Sequence, residues 1–249
     1  MALSTYLSEQ EIEANRALVA DRPICMGKQL ATEVWATEIF DMFNRAGWRY
    51  FFDFEQRCFD RHVREFYSGF KYQNEQVYLS MYGQQYCWSM REFCQIFGIM
   101  DDGNGIFTNS FSLRDIVDGR SARATIINRI CKPSVDRYKT MLQWEDLNDE
   151  CLPLSNIVNH NIYMNEFKGN NIPAMVVLCV FKLHKRQKLQ IGRMLGTRMS
   201  NVPESERNLP YGRFLGQLFH HLGLPTNEYS LPQTRAYTRA SLSEVVYYI

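Results

Sequence analysis

Apolar residues in this chain recur mostly at helical spacing, with one stretch where they alternate. Ser8 and Glu11 stand at capping-box spacing ahead of Ile12, Ala17 and Leu18, which predicts a helix from Ser8 that stops before Pro23. Val34, Trp35, Ile39, Met42 and Phe43 form a helical stripe over 32–46, and Gly47 supplies a left-handed stop. Residues 48–54 are rich in β-favouring aromatics and read as a short strand. Phe59, Val63, Phe66, Tyr67 and Phe70 then share one face of a helix over 60–68, which Gly69 closes. Residues 76–82 and 85–88 flank Gly83 as a hairpin. Ser89 and Glu92 repeat the capping-box spacing before a short helix through Phe93 and Phe97, ending at Gly98. The stretch 48–99 holds 16 of the 34 aromatic residues, so it is where a core should seed.

A turn cluster, Asp-Asp-Gly-Asn-Gly at 101–105, follows. Beyond it the pattern predicts helices after Ser112 and Asp115 and over 121–131, 134–144 and 154–167. Pro173 opens another helix to 184, and further helices span 188–199 and 210–221, with Gly223 after the last. The expected fold class is mainly α (α+β): a multi-helix globular domain with a small β-hairpin or short antiparallel sheet near residues 48–88. The expected organisation is an N-terminal helix over 1–21, one domain over 22–224 with a sub-boundary near 101–105, and a tail over 225–249.

Composition adds little to this picture, since 249 residues at 45% hydrophobic and 22% charged describe an ordinary folded chain. The net charge of +1 is unevenly spread, with 11 basic and 4 acidic residues over 168–249. The seven cysteines are scattered and form no C-x-x-C pair, so a disulfide framework or zinc site is not expected. That usage fits a reducing compartment, nucleus or cytoplasm. The N-terminus lacks the basic-then-apolar pattern of a secretory signal. The longest apolar run, 172–181, is half of the roughly 20 residues a membrane span needs, so a soluble chain with no membrane partner is expected.

Catalytic motifs are missing. His62, His160, His184, His220 and His221 include no i, i+4 pair, and there is no nucleophile elbow, phosphate loop or dinucleotide glycine pattern. Neither the aspartic-protease Asp-Ser/Thr-Gly, the Tyr-x-Asp-Asp box nor a cysteine–histidine knuckle occurs. Asp101, Asp102, Asp146 and Glu150 are abundant acids, but a nuclease triad needs strands that this region does not signal. No cofactor, no metal site and no enzyme activity is expected. What remains is a basic stretch in which Lys182, Lys185, Arg186, Lys188, Arg193 and Arg198 occur without an acidic residue between them. Such residues suit weak, salt-sensitive contact with RNA or DNA phosphates. The favoured reading of the same residues is a solvated helix end with cations at its negative pole.

Five pieces in order resemble a plant transposon protein family that includes the first-open-reading-frame proteins of Athila-type LTR retrotransposons. They are RPICMGKQL at 22–30 ahead of Gly47-Trp48, VREFYSGF at 63–70, the hairpin-and-helix segment 77–99, and the helices of 175–199 and 209–224. The resemblance spans 22–224, and the plant mobile domain is similar in its hairpin-then-helix. It implies a retrotransposon-derived, non-enzymatic structural or interaction protein: gag-like, self-associating and in weak contact with nucleic acid. A transposition-related enzyme or its remnant, and a plant mobile-domain-like protein-binding module, are the alternatives. The resemblance carries no catalytic residues.

Overall fold

The computed structural model describes residues 6–27, 38–51, 57–101, 120–164, 169–186, 191–205 and 208–229. It is mainly helical, with one three-stranded antiparallel sheet in the order β1-β2-β3. The chain makes two compact units. One comprises Met1–Gly27, Asp53–Gly103 and Gln190–Gln233; the other comprises Lys28–Phe52, Asn104–Leu189 and Thr234–Ile249. Each unit is assembled from three chain segments; the sequence suggests a serial organisation over 1–21, 22–224 and 225–249 with a sub-boundary near 101–105, and one boundary between the units falls at Gly103.

The first unit begins with α1 (Glu9–Val19), whose capping box is formed as its spacing predicts. The Glu11 amide donates to Ser8 Oγ at 3.3 Å, and the Ser8 amide donates to Glu11 Oε2 at 2.7 Å. Helix α3 (Asp60–Gly69) packs against α1 and carries its apolar stripe inward, with Val63, Phe66 and Tyr67 all at 0% exposure. Here Gly69 is the last residue of the helix, and the chain passes straight into β1 (Phe70–Gln73).

Strand β1 pairs with β2 (Gln76–Met81), which pairs with β3 (Gln84–Ser89). Both connections are two-residue turns with positive φ at each position: Asn74 (53°) with Glu75 (59°), and Tyr82 (51°) with Gly83 (76°). Val77, Leu79 and Met81 of β2 alternate inward and are buried. Helix α4 (Met90–Ile96) starts at the Ser89 capping box, and the chain turns away at Gly98 (φ 63°). Helix α8 (Ile191–Ser205) lies along β1 and α4, and α9 (Gly216–His221) contacts α4.

Residues 210–215 are turns in the structure, where helical periodicity predicts the start of a helix. A long-range partner accounts for the difference. Leu209 N donates to the Pro23 carbonyl (2.8 Å), Cys25 N to Leu209 (2.7 Å) and Gly212 N to Cys25 (2.9 Å). These bonds tie Leu209 and Gly212 to the 23–25 segment, and Tyr211 takes φ 62°.

In the second unit, α7 (Ala174–His184) is the hub, packed by α2 (Glu38–Arg45), α5 (Arg120–Ile130) and α6 (Cys151–Ile157). Met175 through Val180 are all buried, as a helix apolar on every side requires. Residues 49–51 form a 3-10 turn, and no part of the described 48–51 is strand. The expected helix over 134–144 is likewise replaced by turns. Asp136 accepts from the Tyr138 amide at 3.0 Å, and Lys139 Nζ reaches Asp146 Oδ2 at 2.7 Å, a local staple that competes with the helix. Helix α6 runs into a π turn, Val158–Ile162. The expected helix after Ser112 lies outside the described residues, as do the first half of 32–46 and residues 165–167.

Candidate functional site

The basic stretch is divided between the two units. Lys182, Lys185 and Arg186 belong to α7 and its C-terminal turn; Arg193 and Arg198 belong to α8 in the other unit, and Lys188 lies outside the described residues. Lys185 and Arg186 are exposed. Arg193 Nε is 3.4 Å from Glu75 Oε1, so part of its charge is answered within its own unit. Arg198 is half-buried.

The acidic residues behave as structural groups. Asp101 Oδ1 accepts from the Gly192 amide at the start of α8 (2.8 Å). Asp146 is bound by Lys139 and also accepts from the Gln143 amide at 2.6 Å. Glu150 is on the surface, 4.0 Å from His184. Asp102 lies outside the described residues. Among the described residues no group of three or more His, Cys, Asp or Glu side chains is placed to hold a metal ion.

Six of the seven cysteines are buried; Cys87 on β3 is exposed. Burial pushes the thiols of Cys131, Cys151 and Cys179 up to about 12, and those of Cys58 and Cys94 up as well. These five are packing groups, not nucleophiles.

A cleft of about 340 Å³ in the first unit is lined by Phe59, Arg61, His62, Tyr82 and Pro225, among others. His62 is buried, with Nδ1 2.7 Å from the Tyr82 hydroxyl and Nε2 2.7 Å from the Pro225 carbonyl. A carbonyl only accepts, so Nε2 carries a proton toward Pro225, while Nδ1 shares a hydrogen bond with the Tyr82 hydroxyl. Burial raises the Tyr82 phenol pKa, Glu65 adds to the rise and Arg61 opposes it. The ring is a tether between the β2–β3 turn and the segment after α9, with both nitrogens occupied by protein groups.

The remaining feature is the edge of the sheet. In a two-residue hairpin the residues flanking the turn form a hydrogen-bonded pair, and such pairs alternate along the ladder. Met81 and Gln84 flank the Tyr82-Gly83 turn, so Gln84, Tyr86 and Trp88 bond inward to β2 while Gln85, Cys87 and Ser89 point outward. The same rule on the other hairpin points Phe70 and Tyr72 outward from β1. There the Tyr72 amide donates to Ser200 Oγ of α8 at 2.7 Å, so that edge is covered.

On β3 the Ser89 amide donates to Glu92 Oε2 at 2.8 Å. The backbone N–H and C=O of Gln85 and Cys87 have no partner among the described residues. Gln84, Gln85 and Cys87 are exposed, and Tyr86 and Trp88 are half-buried and stacked, with centroids 5.5 Å apart and rings 2° from parallel. The strand Gln-Gln-Tyr-Cys-Trp-Ser has no lysine, proline or other charge, the usual means of blocking an edge.

Comparison with protein-family models, with curated proteins and with solved structures gave no match. Among the described residues no helix is long and apolar enough to cross a membrane.

Proposed function

We propose that this chain is a non-enzymatic structural or interaction protein of retrotransposon origin, gag-like in that it self-associates. The observation that carries the reading is the uncharged edge of β3, unpaired among the described residues and a ready template for main-chain pairing. The resemblance over 22–224 supplies the origin. The engaged nitrogens of His62 and the buried, proton-retaining thiols support a scaffold rather than a catalyst. A concentration series in light scattering tests the reading: average mass rises with concentration if it holds and stays at the monomer value if it fails.

Contact with RNA or DNA is a secondary part of the proposal and narrows to the end of α7, where Lys185 and Arg186 are exposed and Lys182 is half-buried. Binding by this group is weak and sequence-independent, and it falls steeply as salt rises. A labelled RNA whose mobility shift is insensitive to the Lys185→Glu substitution would remove that part alone.

A further inference from the structure

The β3 edge specifies more than a general tendency to associate. Resting on the self-association reading, we propose that its occupant is the β3 strand of a second copy. The two strands run antiparallel about a two-fold axis between the two Tyr86 residues, so that two three-stranded sheets become one continuous sheet.

The register follows from which backbone groups are free. With the axis at Tyr86, Gln85 faces the partner's Cys87 and Cys87 faces the partner's Gln85. Both are pairs of outward-pointing residues, so each exchanges two N–H···O=C bonds, and every free group of both strands is used. A slip to an axis at Cys87 would set Gln85 against the partner's Ser89, whose amide is already donated to Glu92. An axis between two neighbouring residues would oppose outward groups with inward ones. The Tyr86 axis alone satisfies the edge.

The side chains agree with a like partner. Every residue from Gly83 to Ser89 is uncharged, so no like charges meet across the axis, and no fixed charge exists to select an oppositely charged stranger. On one face Tyr86 meets its copy, with the stacked Trp88 rings in the diagonal positions, so each half-buried aromatic pair finds another. On the other face the two Cys87 side chains stand diagonally, roughly 7–8 Å apart, with Gln85 between them. A strand of six residues is a small interface, so the dimer forms in a concentration-dependent way and is not obligate.

The test uses the full chain, sedimentation across a concentration series and a short bismaleimide that joins two thiols without oxidation. The expected result is a dimer in which the reagent links Cys87 to Cys87, read by peptide mass spectrometry; Cys87→Ser abolishes the link and leaves dimerisation intact. Gln85→Pro removes an outward N–H from each copy and raises the dimer Kd about tenfold or more. Gln85→Lys, an exposed change that leaves the hairpin bonded, weakens the dimer in the same direction. If the chain associates but neither Gln85 variant weakens it, and Cys87 is not linked, the β3 pairing is overturned while self-association stands. If the chain stays monomeric at every concentration, both fall.

Discussion

Gly69 and Ser80 touch backbone to backbone: a Cβ built on Gly69 would lie 1.8 Å from the Ser80 carbonyl oxygen and 2.8 Å from its carbon. The end of α3 and strand β2 are therefore joined at a point where only glycine fits. Gly69→Ala forces either the helix end or the strand to move, since no flexible side chain can yield. We expect a loss of about 1–3 kcal/mol or more in urea unfolding. Gly169→Ala, where nothing lies within 4 Å of the added atom, is the control and should shift the midpoint little.

The second capping box gives a pH prediction. Glu92 is held below its ordinary 4.5 first by the Ser89 hydroxyl and then by the Ser89 amide. A carboxyl with a lowered folded-state pKa stabilises the fold fully above the unfolded value, and that contribution is lost as pH falls through the folded value. Ser89→Ala should raise the Glu92 pKa towards 4.5 in an NMR titration and lower the melting temperature at neutral pH. It should also flatten the acid limb of the stability curve. An unmoved Glu92 resonance would mean that the box is not closed in solution.

Features set by neighbours in sequence were legible: both capping boxes, the Gly83 hairpin, the inward face of α3 and the helix that follows Pro173. What escaped was set by distant partners. Strand β1 was hidden because its turn, Asn74-Glu75, reaches positive φ without a glycine, and because Gly69 looked like a helix stop. The turns at 210–215 exist because 23–25 hydrogen-bonds them, a relation no local period records. The basic stretch is continuous in sequence yet divided between two units. The neutrality of β3 could be read from its letters; its position at the sheet edge depends on β1 taking the other side of β2.

Cysteine packing can be counted directly. Cys87 is exposed and the other six thiols are buried. A chromogenic disulfide reagent should therefore titrate one fast thiol per native chain and all seven after unfolding in urea, and Cys87→Ser should abolish the fast phase. Two or more fast thiols in the native protein would mean that a cysteine-bearing element is misplaced.

Arg213 sits at 2% exposure, with Nε donating to the Met26 carbonyl at 2.9 Å and Nη2 to the Gly27 carbonyl at 3.3 Å. Burial pushes its pKa down to about 10, a shift that the Cys58 and Cys25 thiols oppose. The buried charge is tolerated because the planar guanidinium serves both carbonyls where the chain is pinned to 209–212. Arg213→Ala leaves those acceptors without a donor and opens a cavity, so it should cost about 2–5 kcal/mol. Arg213→Lys restores charge but not the fork, and should recover only part of that loss. The folded state holds this proton less tightly than the unfolded chain. Ionisation of Arg213 therefore works against folding below about 10, and its unfavourable share shrinks as pH rises above that value. The wild-type advantage over Arg213→Ala should accordingly be level across neutral pH in urea titrations. An Arg213→Ala variant as stable as the wild type would show that the 23–27 segment is not held to the 209–213 turn by this side chain.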